Sequence, residues 1–187
     1  MTPRTAAFIA VASAALTCAT PAMADIRQLA SSGRWSAYGG TGDDNRPLCG
    51  VGTEGAEGRR ILIQQYAGDT GIELHLKKDS WDIPPNTPVT LQVQFDGVAP
   101  EPMQATGSDH QIVVNMTFDQ SVPFMHDLRA DRQIRVFFLS GNEPPWTGGL
   151  SGSGRAIDAF NTCRGGWVPA GGPTQPFSPA PPVQSHP

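Results

Sequence analysis

The sequence predicts a mainly β fold, a single-domain β-sandwich or half-open barrel with two short helices. Glycine (21 residues) and proline (18 residues) make up more than a fifth of the 187-residue chain, and both interrupt regular structure more often than they extend helices. Apolar and polar residues alternate with a period of two in several segments, which is typical of strands with one buried face. Helical periodicity is confined to two short stretches, so we expect one β-rich domain.

The first 24 residues have the pattern of a secretory signal peptide. Arg4 precedes an apolar run over residues 6–19, and Ala22 and Ala24 form an A-x-A cleavage site. The run is shorter than the roughly 20 apolar residues that a membrane-spanning helix needs. We expect cleavage after Ala24 and a periplasmic or secreted protein without a transmembrane segment. A lipoprotein signal at Cys18 is the alternative.

The globular domain is predicted to span residues 33–164, after a lead-in over residues 25–32. The clearest strand is 89–95, in which every second residue from Val89 to Phe95 is apolar. Strands are expected at about 33–38, 47–53, 60–66, 72–76, 89–95, 103–106, 111–118 and 133–139.

Two of these strands give specific burial predictions. In the strand around 72–76 the alternation places His75 on a solvated face. In 111–118 the even-numbered residues, Phe118 among them, are predicted to face the core.

The two helix candidates are each two or three turns long. Residues 122–130 place Val122, Met125 and Leu128 on one side at helical spacing, and Phe124 is a further candidate for that side. Residues 153–163 follow a glycine-rich turn, and Ser153 or Gly154 would cap this helix. Its inward face would carry Ala156, Ile157 and Phe160. Helices this short are unstable alone in water, so both must dock on the sheet.

The same turn, Leu150-Ser151-Gly152-Ser153-Gly154, raises the question of phosphate binding. It lacks the Lys-Ser/Thr pair that follows the last glycine of a P-loop, because Arg155 comes next. The turn and helix are therefore interpreted as scaffolding.

Two cysteines, Cys49 and Cys163, remain after removal of the signal peptide. Exported domains meet an oxidising environment and usually pair their cysteines. A bridge is therefore predicted, and the chain-entropy model gives it about 4 to 5 kcal/mol of stabilisation. As a nucleophile, Cys163 would need a lowered pKa, and the negative end of a helix dipole disfavours the thiolate.

The charge pattern excludes a nucleic-acid binder. The chain has 13 basic and 17 acidic residues, a net charge of −4. The basic residues are scattered, and the pairs Arg59-Arg60 and Lys77-Lys78 are expected to be solvated, whereas nucleic-acid binders cluster their basic residues.

Residues 165–187 differ in composition from the domain. They are rich in glycine, proline, serine and glutamine and have no periodic apolar face, so a disordered tail is predicted.

Four residues are candidates for ligand binding. Trp81 and Trp146 each neighbour a Pro-Pro pair, and such aromatics either form an exposed platform or close the end of a strand. His126 and Asp127 are adjacent and would lie between helix and sheet. The histidines lack the spacing of metal ligands, so no metal, cofactor or catalytic residue is predicted.

The order of several features resembles that of the invasion-associated locus B proteins, which are exported proteins of α-proteobacteria. The resemblance covers about residues 35–163 and rests on Trp35, Cys49, Phe95-Asp96-Gly97, Phe124–Phe138, and Leu150-Ser151-Gly152 followed by Ala156–Phe160. It implies a β-rich fold and a periplasmic location. The chain departs from the family pattern because it has no further cysteine pair between Cys49 and Cys163, and the family offers no catalytic residues to transfer.

Two functions remain open on this basis. The first is a non-enzymatic exported domain that binds a protein, a peptide or an envelope component. The second is a hydrolase whose site would be formed by Asp and His residues, which requires that Asp96, Asp109, His126 and Asp127 converge.

Overall fold

The fold is one antiparallel sheet that curls into a half-open barrel. A computed structural model describes residues 25–42, 44–97 and 99–167. The strands are β1 (Asp25–Ser32), β2 (Trp35–Thr41), β3 (Pro47–Glu54), β4 (Arg60–Tyr66), β5 (Ile72–Lys77), β6 (Ile83–Phe95), β7 (Glu101–Asp109), β8 (Gln111–Met116), β9 (Gln133–Phe138) and β10 (Trp146–Gly149). The helices are α1 (Phe118–Ala130) and α2 (Ser153–Gly165).

The strand order across the sheet is β1-β2-β3-β4-β5-β8-β7-β6-β9-β10. The ten strands of the described residues form one sheet, so the predicted fold class is confirmed in its half-open barrel form and not as a sandwich. β1 and β10 are the two edges of this sheet.

The core lies on the concave face of the sheet and is closed by the two helices. Alternate residues of the strands fill it, as the period-two pattern predicts. Fully buried members include Trp35, Val51, Ile63, Leu74, Leu76, Leu91, Ile134 and Val136.

Helix α1 begins four residues earlier than predicted. Thr117 and Gln120 form a capping box, in which the Thr117 hydroxyl accepts from the Gln120 backbone and the Gln120 side chain accepts from the Thr117 backbone. The cap ends strand β8 at Met116, so Phe118 is not a core residue of a strand and is 62 % exposed. The predicted inward face was also wrong at Val122, which is 53 % exposed, because the helix turns Phe124 and Leu128 to the core.

Helix α2 confirms the predicted docking of its apolar face. Ala156, Ile157 and Phe160 are all buried. Ser153 is not the cap, because its hydroxyl donates a hydrogen bond of 2.7 Å to the carbonyl of Leu128 and so ties α2 to α1. The cap is Gly152, which has a φ of 96° and lies so close to Ser32 that a β-carbon would be 2.1 Å from its carbonyl oxygen.

The predicted disulfide between Cys49 and Cys163 is confirmed. The Cα atoms are 6.0 Å apart, within the normal range for a bridge. Cys49 lies in β3 and Cys163 in the last turn of α2, so the bond fastens the helix to the sheet.

Two strands are absent from the sequence prediction. Residues 25–32, assigned to a lead-in, form β1, whose apolar residues Ile26 and Leu29 are partly exposed and show no alternation. β10 has the sequence Trp-Thr-Gly-Gly, which carries no strand signal.

The predicted signal peptide and the tail from residue 168 onward lie outside the described residues. Trp167, which the prediction places in the tail, packs partly buried against the core. Among the described residues no helix is long and apolar enough to span a membrane.

Replacing both Cys49 and Cys163 with alanine is expected to lower the free energy of unfolding by about 2 to 5 kcal/mol, because the reduced chain gains conformational freedom in the unfolded state. Urea denaturation measures the change. Alkylation of the native protein, followed by mass spectrometry, should find no free thiol at either position, and modification of both would refute the bridge.

Phe160→Ala is expected to cost about 3 to 5 kcal/mol in urea denaturation, because it empties a fully buried site beneath α2. The matched control is Phe118→Ala, which removes the same ring from an exposed position and should change stability by about 0.5 kcal/mol or less. Equal losses in the two variants would contradict the docking of α2.

Candidate binding cleft at the seam of the sheet

Trp81 and Trp146 come together, but not as an exposed platform. Their rings stack with centroids 5.2 Å apart and an interplanar angle of 18°, and Phe138 contacts both rings edge-on. Trp146 is only 3 % exposed and Trp81 is half-buried. The platform interpretation is therefore wrong for Trp146, and the two indoles close the end of the core.

Glu143 lies at the centre of this aromatic cluster. Its carboxylate accepts hydrogen bonds from Trp146 Nε1 at 2.7 Å and from Trp81 Nε1 at 3.1 Å. Lys78 Nζ donates to both carboxylate oxygens at 3.0 Å. Because Lys78 and Trp81 follow β5, these contacts fasten the β9–β10 loop to the β5–β6 connection. Lys78 is thus held in an ion pair with its side chain only 14 % exposed, not solvated as predicted.

Hydrogen bonding controls the charge of Glu143. Desolvation acts to raise the pKa of its carboxyl, but the hydrogen bonds from Trp146, Trp81 and Lys78 together outweigh it and lower the pKa. The carboxylate is therefore ionised at neutral pH although its side chain is only 15 % exposed. Arg59 adds a second cation, with its guanidinium 5.6 Å from the centre of the Trp146 ring.

The predicted Asp and His residues do not form one site. Asp109 pairs with Ile83 at one end of the β6–β7 ladder, and Asp96 follows the other end. β7 alone separates them by nine residues, about 25 Å. His126 is exposed on α1, 3.0 Å from Asp127, and Asp96 accepts a hydrogen bond from the Arg132 amide.

His75 is buried instead of solvated, with 8 % exposure. Its ring nitrogens contact the side chains of Glu73 at 2.9 Å and Gln111 at 3.4 Å, which cover it on the outer face of the sheet. Hydrogen bonding to His75 lowers the pKa of Glu73. Among the described residues, no group of three His, Cys, Asp or Glu side chains is placed to hold a metal ion.

The two edges of the sheet meet at one corner, which we call the seam corner (Gly33, Trp35, Gly149, Ser151). Trp35 Nε1 donates a hydrogen bond of 2.9 Å to the carbonyl of Gly149. A β-carbon on Gly33 would lie 2.7 Å from the Ser151 carbonyl oxygen, so the β1–β2 turn packs directly against the turn after β10. The two edges of the half-open barrel touch at this corner without pairing as strands.

Beyond the seam corner, β10 has an unpaired edge. The Leu150 N–H donates to the Arg132 carbonyl, on the side of β10 that faces β9. The Gly149 carbonyl accepts from Trp35 Nε1 on the opposite side of the strand. Because bonding direction alternates along an antiparallel strand, Thr147 and Gly149 both point away from β9. With the Gly149 carbonyl occupied, the edge presents the Thr147 N–H, the Thr147 carbonyl and the Gly149 N–H.

This edge borders a cavity of about 280 Å³, the seam cleft. Its wall combines strand β10 with the β3–β4 turn and the β1–β2 turn. The lining residues are Arg34, Thr53, Glu54, Gly55, Ala56, Arg59, Ile61, Trp146, Thr147, Gly148 and Gly149. Gly148 shares the inner face of β10 with Trp146, and a β-carbon on it would lie 3.3 Å from Cγ2 of Ile134.

Of the four candidate residues, only Trp146 lines the seam cleft. Sequence reasoning did not find Glu143, which stands three residues before Trp146 in Glu-Pro-Pro-Trp and could have been noticed as the acceptor for an indole N–H. It also missed Thr147 and Gly148, because an unpaired strand edge is a property of the assembled sheet.

Comparison with known proteins gives one match. No protein-family model matches the chain, and no curated protein matches it. Among solved structures, the crystal structure of invasion associated protein B from Bartonella henselae is similar, with 15 % sequence identity and a TM-score of 0.44. The similarity covers 77 % of this chain and 99 % of that chain. At this level it carries no functional argument, so the cleft is interpreted from its own geometry.

Glu143→Gln is expected to lower the free energy of unfolding at pH 7 by about 1 to 3 kcal/mol, because Lys78 loses its buried counter-charge. Folding lowers the pKa of Glu143 below 4.5, its value in the unfolded chain. The ionised carboxylate therefore stabilises the fold fully at a pH above 4.5, and this contribution is lost as the pH falls through the lower pKa of the folded protein.

The stability difference between wild type and Glu143→Gln should therefore shrink between pH 6 and pH 3 in urea denaturation. Glu101→Gln, at the exposed start of β7, is the control and should change little at either pH. A difference that stays constant down to pH 3 would show that the charge of Glu143 is irrelevant.

Proposed function

We propose that this protein is a non-enzymatic binding domain of the cell envelope or the secreted fraction, which takes up an extended peptide segment of a partner in the seam cleft. The observation that carries the proposal is the unpaired edge of β10 beside an apolar cavity. Strand addition to such an edge is a common mode of peptide recognition, in which backbone hydrogen bonds supply affinity and pockets supply specificity.

The two edges of the sheet differ in a way that supports this assignment. Unprotected edges are hazardous, and proteins block them with charges and bulges. β1 has both, since Arg27 lies on it and its register shifts between Gln28 and Ala30. β10 has neither a charge nor a bulge. Its short length and the seam corner limit what can add to it, which favours one short ligand over edge-to-edge aggregation.

The seam cleft also supplies side-chain contacts. Trp146 and Ile61 give it an apolar wall next to the strand edge. Arg59 also lines the cleft, and its guanidinium lies 5.6 Å from the centre of the Trp146 ring.

The charged groups of the cluster are engaged in structural contacts. Glu143 and Lys78 neutralise each other, and Arg59 Nη2 contacts Glu57 at 2.7 Å. The hydrolase alternative required Asp96, Asp109, His126 and Asp127 in one pocket, and these residues do not meet. Binding without catalysis therefore accounts for the arrangement with fewer assumptions.

Export is the second part of the proposal. A bridge that joins residues 114 positions apart is stable in an oxidising compartment, and such bridges are rare in the cytosol. The predicted signal peptide leads to the same periplasmic or secreted location.

Thr147→Pro is the sharpest test of strand addition. Proline removes the Thr147 N–H, which has no bond within the sheet, and proline is tolerated at an edge whose N–H faces outward. The probes are two pools of fluorescein-labelled octapeptides, one with a free C-terminal carboxylate and one with a C-terminal amide. The most strongly retained peptide is resynthesised and measured by fluorescence anisotropy. Thr147→Pro should weaken binding roughly tenfold or more, through the loss of one hydrogen bond and the bulk of the ring.

The matched control is Thr147→Val, which keeps the N–H and should bind as wild type does. Thermal melting of both variants verifies that the fold is intact. Retention of neither pool by the wild-type protein, or equal binding by the proline and valine variants, would refute the proposed function.

A further inference from the structure

The seam cleft has one closed end and one open end, which restricts how a ligand strand can lie in it. At the Gly149 end the Trp35 indole and the contact between Gly33 and Ser151 block any continuation of the ligand. At the Trp146 end the strand edge continues toward the exposed residues Pro144 and Pro145. The ligand must therefore terminate at the seam corner.

The open hydrogen-bonding groups determine which terminus it is. An antiparallel ligand strand would place one residue opposite Gly149 and direct its N–H at the Gly149 carbonyl, which already accepts from Trp35. In a parallel strand, one ligand residue donates to the Thr147 carbonyl and accepts from the Gly149 N–H, while the residue two positions before it accepts from the Thr147 N–H. The parallel arrangement uses all three open groups and avoids the Gly149 carbonyl, which is already occupied. It brings the C-terminus to the seam corner.

The charges at this end suit a carboxylate. Arg34 lies in the β1–β2 turn, lines the cleft, is exposed, and has no ion pair within the described part of the chain. Arg59, the second arginine of the lining, already contacts Glu57 at 2.7 Å, so Arg34 is the cation available to a ligand carboxylate. A guanidinium binds a carboxylate through two parallel hydrogen bonds.

The position of the last ligand residue also defines its side chain. In the parallel arrangement this residue lies opposite Gly148, so its side chain shares the inner face of β10 and enters the cleft beside Trp146 and Ile61. A cavity of about 280 Å³ with this apolar wall accommodates one aliphatic or aromatic side chain.

We infer that the ligand is the free C-terminus of a protein or peptide, added parallel to β10, with an apolar last residue. Its carboxylate binds the Gly149 N–H and Arg34. This inference rests on the proposed function and specifies the ligand of that same cleft.

The test compares three pools of octapeptides that are randomised at the first seven positions. The first ends in Val, Leu or Phe with a free carboxylate, the second in the same residues as amides, and the third in Asp or Glu as amides. We expect the first pool to bind at least tenfold more tightly than the second. Arg34→Gln should reduce binding of the first pool to that of the second and leave the second unchanged. Arg27→Gln, on β1, is the control and should have no effect.

The outcomes distinguish failure of the C-terminus assignment from failure of the proposed function. Equal binding of the first two pools to the wild-type protein would overturn the C-terminus assignment and leave strand addition standing. Binding of the third pool as strong as the first, lost in Arg34→Gln, would show that the arginine takes an acidic side chain, which also overturns it. Retention of none of the three pools would instead refute the proposed function.

Discussion

The closure of the sheet at the seam corner determines the rest of the structure. A curled ten-stranded sheet has two edges, and here the Trp35 indole bonds to the Gly149 carbonyl while the turns at Gly33 and Gly152 pack together without side chains between them. This contact brings β1 and β10, the first and last strands, to the same place. Because it involves only one end of β10, the remainder of that strand lies beside a cleft instead of a neighbouring strand.

Two further contacts hold the fold together, and the second of them holds a wall of the cleft. The bridge from Cys49 to Cys163 fixes α2 against the first half of the sheet. Glu143, with Lys78 and the two stacked indoles, fixes the loop that precedes β10. The carboxylate acceptor and the ammonium and indole donors are all satisfied in a largely buried position, so the network stabilises the fold and orients Trp146. A strand edge held on both sides in this way is pre-organised for a ligand, which lowers the entropic cost of binding.

The sequence was sufficient for the general fold and insufficient for the cleft. Period-two alternation predicted the central strands because they have one buried and one solvated face. The disulfide was predicted because two cysteines remain in a domain that is expected to be exported to an oxidising environment. The sequence did not predict β10 because Trp-Thr-Gly-Gly has no alternation of apolar and polar residues. Tertiary contacts set the place of this strand in the sheet. Phe118 and Val122 were misplaced because a local capping box at Thr117 prevailed over the apolar pattern. His75 was misplaced because Glu73 and Gln111 cover it from neighbouring positions.

The most direct test of an open β10 edge is amide hydrogen exchange by NMR, with and without the free-carboxylate octapeptides. In the free protein, the account predicts fast exchange at Thr147 and Gly149 and slow exchange at Gly148, whose amide faces β9. Addition of the peptides should slow the first two and leave Gly148 as it is. If the Thr147 amide is as protected as Gly148 in the free protein, or if the peptides leave it unchanged, β10 does not accept a strand.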